Sequence, residues 1–77
     1  MRLRIEFTVE PFVEGAPGPY VHTAVEAARA QGLDVEFGPF GTVAEGDESL
    51  ALAAVGPIVQ AAIEAGASRV SLQISRT

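Results

Sequence analysis

Two short runs in this chain set a hydroxyl close to a carboxylate: Thr8 with Glu10, and Thr42 with Glu45. If the strands carrying them are neighbours, the four groups converge on one spot. A carboxylate there accepts hydrogen bonds from an amino-substituted ring, and Phe12, Tyr20 or Phe40 can offer a face to an aromatic or cationic ring. The same residue types also serve as solvated edge acids and core aromatics. Spacing by itself does not identify a ligand.

Other chemistries lack their parts. No cysteine is present and His22 is the sole histidine, so no nucleophile, base and orienting group can be assembled. His22 falls in the first turn of an expected helix and reads as a surface residue. The run Gly38-Pro39-Phe40-Gly41-Thr42 lacks the lysine of a phosphate-binding loop and leads into a strand, which makes it a hairpin turn. Soft-metal sites need thiolates. With ten acidic residues against five arginines and no lysine, the net charge of −5 repels a phosphate backbone. Nucleic acid is therefore not an expected partner, whereas a cationic small molecule is permitted. A binding or interaction role survives, with no cofactor and no enzymatic activity expected.

The elements that must position these groups follow from periodicity. Residues 2–10 alternate strictly, with Leu3, Ile5, Phe7 and Val9 on one side and Arg4, Glu6, Thr8 and Glu10 on the other, as in a half-buried strand. A Gly/Pro-rich loop follows over residues 13–19. Pro19 suits the first turn of a helix over residues 19–31, where Val21, Ala24, Val25 and Ala28 recur at helical spacing, and Gly32 ends it. Residues 33–37 alternate again, and the glycine-rich turn pairs them with a third strand over residues 42–45 as an antiparallel hairpin. Gly46 and Asp47 are expected to stop that strand, with Asp47 or Ser49 capping the next helix.

The second helix spans residues 48–65, with Leu50, Ala54, Ile58 and Ala61 as its main stripe and Leu52, Val55, Val59, Ala62 and Ile63 widening it. So wide an apolar surface exceeds what one sheet covers, which points to a partner chain. Pro57 inside this helix predicts a kink or two shorter helices. Val70, Leu72 and Ile74 alternate with polar residues in a last strand. No stretch is long and apolar enough to span a membrane, and the first residues alternate instead of forming a signal peptide, so a cytoplasmic location is the default expectation.

The order β-α-β-β-α-β over residues 1–77 predicts a single ferredoxin-like α+β sandwich: a four-stranded antiparallel sheet, first and third strands central, two helices on one face. The other face, with Arg4, Glu6, Thr8, Ser71 and Gln73, stays open, to be solvated or stacked on a second copy. Stacking is favoured because so small a core benefits from a partner. Fold alone does not give function. RNA readers of this architecture need basic, aromatic central strands, and acylphosphatase chemistry pairs an arginine with an asparagine, which the chain lacks.

Phe7-Thr8-Val9-Glu10-Pro11, the run from Gly38 to Asp47 with its Gly-Thr-x-x-Glu-Gly-Asp core, Gly66-Ala67-Ser68-Arg69-Val70 and Ile74-Ser75-Arg76 together resemble the thiamine-binding protein family across nearly the whole chain. The pattern departs at Glu10, where family members more often carry an aromatic residue, and at Phe40, where methionine is commoner. The resemblance implies a ferredoxin-like fold, homodimers or homotetramers, and binding of thiamine or its hydroxymethylpyrimidine portion without known turnover. On it, the ligand-contact positions are Thr8, Thr42 and Glu45; by residue type alone, Glu10 is added as a further carboxylate and Phe40 as a ring face. The competing expectation is an oligomerisation domain with no small ligand.

Overall fold

A computed structural model describes residues 1–11, 18–38 and 41–77. The elements are β1 (Arg2–Glu10), α1 (Pro19–Ala30), β2 (Asp34–Phe37), β3 (Thr42–Asp47), α2 (Glu48–Glu64) and β4 (Arg69–Arg76). The four strands form one antiparallel sheet in the order β2-β3-β1-β4, the ferredoxin-like α+β arrangement expected from the element order. Both helices pack on one face, because alternation leaves Leu3, Ile5, Phe7 and Val9 no other way out of water. These side chains meet Val21, Ala24 and Ala28 of α1 and Ala51, Ala54, Ile58 and Ala62 of α2.

Local signals explain the element ends. Pro19 opens α1 without losing a needed donor, and Gly32, at φ +88°, turns the chain out of it. The Tyr20 hydroxyl donates to the Pro11 carbonyl and ties the start of α1 to the end of β1. The exposed His22 ring lies against Phe37 of β2, with centroids 6.3 Å apart.

Four expectations are corrected. Strand β3 runs to Asp47, because Gly46 keeps pairing with Leu3. Asp47 does occupy the cap position of α2, but its carboxylate accepts from the Ser49 hydroxyl (3.0 Å) instead of capping a backbone N–H. Helix α2 is continuous through Pro57 instead of dividing into two shorter helices. Pro57 and Ala53, whose carbonyl loses its helical donor, are both exposed, so water can take the freed acceptor. The stripe that α2 buries is Ala51, Ala54, Ile58 and Ala62, not the line through Leu50 and Ala61. Among the described residues no helix is long and apolar enough to cross a membrane.

Candidate functional site

Because β1 alternates, its even-numbered side chains share the open face of the sheet. Register then decides which of them are neighbours. Glu6 lies opposite Val43 of β3 and Gln73 of β4, and Thr8 lies opposite Ser71. These five residues form the floor of a groove of about 470 Å³, bounded at one end by Gly38 and Gly41. Phe7 and Thr42 border it along their backbone, their side chains being buried on the helix side.

Gly41 shapes that end. The turn closes with the Gly38 N–H donating to the Gly41 carbonyl at 2.8 Å. A Cβ on residue 41 would sit 3.2 Å from Thr8 Cγ2 and 3.3 Å from the Phe7 carbonyl oxygen, so only glycine lies this close over β1 without displacing a neighbour.

The floor combines complementary groups. Thr8 and Ser71 supply hydroxyls that donate or accept, Gln73 an amide that does both, and Glu6 an acceptor-only carboxylate. Val43 is the apolar contact. Glu6 forms no ion pair among the described residues, whereas Glu10 of β1 and Glu45 of β3 do. Glu45 accepts from Arg4 Nε at 2.9 Å and lies 3.6 Å from Arg2 Nε, and Glu10 lies 3.6 Å from Arg69 Nε. Arg2 also bonds Asp34 at 2.8 Å, and that hydrogen bond is the main reason its guanidinium is held above its ordinary pKa.

The expected cluster of Thr8, Glu10, Thr42 and Glu45 is therefore taken apart. Strands β1 and β3 are neighbours, but antiparallel register sets Glu45 opposite Arg4. That is six residues, or about 20 Å of strand, from Glu10. Thr42 is opposite Phe7 and shares its face, so its side chain is 3 % exposed among core residues while Thr8 points the other way. Thr8 alone of the expected residues that the structure describes brings its side chain to the groove. Glu45 lines a separate, more acidic recess of about 310 Å³ with Asp34, Glu36 and Val43. Phe40 and Phe12 lie outside the described residues. Alternation puts Glu6, Ser71 and Gln73 on the open face, but their adjacency depends on register, which no signal within a single strand supplies.

The groove can hold a flat polar ring over the sheet. An exocyclic amine would donate to Glu6, ring nitrogens would accept from the hydroxyls or the amide, and a positive charge would be favoured beside the unpaired carboxylate.

The family model described as thiamine-binding protein matches residues 5–76. Among solved structures, a hypothetical protein from Methanocaldococcus jannascii superposes with a TM-score of 0.74 at 30% identity, over 99% of this chain and 80% of that one. A domain of unknown function from Bacillus cereus gives 0.71 at 28% identity, over 99% and 76%. A Thermotoga maritima protein described as a candidate for thiamine biosynthesis/salvage gives 0.69 at 25% identity, over 97% and 81%. No curated protein matches the chain in sequence.

Proposed function

Because the chain belongs to the thiamine-binding protein family, we propose that it binds thiamine, or the hydroxymethylpyrimidine portion of it, in the groove on the open sheet face. The observation that carries this reading is the unpaired Glu6 carboxylate set among Thr8, Ser71 and Gln73. The aminopyrimidine donates to Glu6 while its ring nitrogens accept from the hydroxyls or the amide, and Val43 contacts the ring. The cationic thiazolium is attracted to the same carboxylate. The protein acts as a binding module and not as an enzyme, in keeping with the nearby carboxylates Glu10 and Glu45 being held in arginine pairs.

Calorimetric titration tests it. Heat of binding and a raised melting temperature with thiamine or hydroxymethylpyrimidine are expected. No heat and no thermal shift at millimolar concentrations of either would sink the proposal.

A further inference from the structure

Charge on the open face is unevenly committed. Alternation and register put Arg2 and Arg4 of β1 and Arg69 of β4 on that face, and each is held by a carboxylate of another strand. Arg2 bonds Asp34 at 2.8 Å, Arg4 Nε donates to Glu45 at 2.9 Å, and Arg69 Nε lies 3.6 Å from Glu10. Glu6 and Glu36, on the same face, have no such partner among the described residues.

Register places these two acids in one row. Glu36 of β2 lies opposite Val43, and Val43 lies opposite Glu6, so the carboxylates flank the valine from strands about 10 Å apart. Val43 lines both the groove and the acidic recess beside β2, so the two depressions meet at its side chain.

We infer that Glu36 is a specificity-determining residue of the groove: together with Glu6 it makes the site refuse phosphate esters, so that the protein takes the unphosphorylated alcohol. This rests on the thiamine reading of the groove and goes beyond it, since thiamine and hydroxymethylpyrimidine each carry a hydroxyl that can be esterified. A phosphomonoester brings a charge of about −1.5 to −2 at pH 7. On a ligand lying over Val43 that charge stands about 8 Å from both Glu6 and Glu36, and at about 0.02 M salt each carboxylate then weakens binding about threefold, the two together about tenfold. The arginines of the face do not offset the repulsion. Turning Arg2 or Arg4 to the phosphate would take from Asp34 or Glu45 its closest arginine, and both of these acids line the same recess. Attraction of the thiazolium cancels in the comparison, because thiamine and its monophosphate share that ring.

Calorimetric titration of the whole chain with two pairs of ligands tests it: thiamine and its monophosphate, hydroxymethylpyrimidine and its monophosphate. Whichever alcohol binds is expected to do so about tenfold more tightly than its ester at about 0.02 M salt, with the gap nearly closed at about 0.5 M. Glu36→Gln should narrow the low-salt gap to about threefold and Glu36→Lys should close it, whereas Glu64→Gln, the same change of net charge placed on α2, should leave it at about tenfold. Glu36 and Glu64 are both exposed, so circular dichroism should show the wild-type fold in all three variants. Three results would each overturn the inference and leave the thiamine reading intact: an ester that binds the wild type as tightly as its alcohol, a gap that both Glu36 variants leave unchanged, or a gap that Glu64→Gln narrows as much as Glu36→Gln. Binding of none of the four ligands ends the thiamine reading and the inference with it.

Discussion

Removing one charge, by Glu6→Gln, is the sharpest perturbation of the proposed groove. The substitution keeps the shape of the side chain and its carbonyl-type acceptor but removes the negative charge. Glu6 forms no ion pair among the described residues, so no stranded arginine complicates the change. With the thiazolium about 5 Å from the carboxylate, the attraction is about 0.8 kcal/mol at the dielectric of water and about 3 kcal/mol at a surface value of roughly 20. An open groove on an exposed sheet face belongs in the lower half of that range. Loss of about 1–2 kcal/mol corresponds to thiamine affinity falling about fivefold to thirtyfold. Neutral hydroxymethylpyrimidine loses only the charge assistance of its hydrogen bond and should fall less. Salt supplies a second readout. Raising ionic strength from about 0.02 M to about 0.5 M shortens the Debye length from about 20 Å to about 4 Å, so thiamine should bind the wild type more weakly and Glu6→Gln almost unchanged. Calorimetric titration of both ligands against both proteins at both salt levels gives all the comparisons. If Glu6→Gln binds thiamine as well as the wild type while Glu36→Gln weakens it, the ligand sits in the acidic recess beside β2 and the argument for the groove fails.

Further outcomes concern the residues that hold the groove in place. Thr42→Val should leave thiamine binding within about twofold and unfolding free energy within about 1 kcal/mol, since its side chain is buried on the helix side; a tenfold loss of affinity in titration would restore Thr42 to the site. Ile58→Ala empties a fully buried position and should cost about 2–5 kcal/mol in urea unfolding. Stability for a domain of this size is about 4–12 kcal/mol, so the loss is a large share of the total, and a midpoint unchanged from wild type would contradict the packing. Gly32→Ala must adopt φ near +88° and should lose about 1 kcal/mol in the same assay.

The legible and illegible parts of the fold divide along the range of the interactions that set them. Alternation over residues 2–10 assigns each side chain of β1 to a face, because successive residues of a strand point to opposite sides whatever the strand pairs with. Leu3, Ile5, Phe7 and Val9 are accordingly buried, and Glu6 and Thr8 share the open face. Helix positions follow from proline and glycine placement for the same local reason. The stripe α2 buries was harder to read, since its apolar arc is wide enough to allow several lines, and packing chose Ala51 and Ala62 over Leu50 and Ala61.

The candidate site depended on what no local rule supplies. Neighbouring strands β1 and β3 put Thr42 and Glu45 near some part of β1, but a shift along the ladder changes every partner, and a single-residue shift also changes the face. The observed register sends Thr42 into the core and Glu45 to the arginines, and sets Ser71 and Gln73 beside Thr8 and Glu6. Local sequence could say which residues face the same way, because side-chain direction is a property of one strand. Which of them touch is a property of pairs of strands distant in sequence, and so it emerged only when the sheet closed.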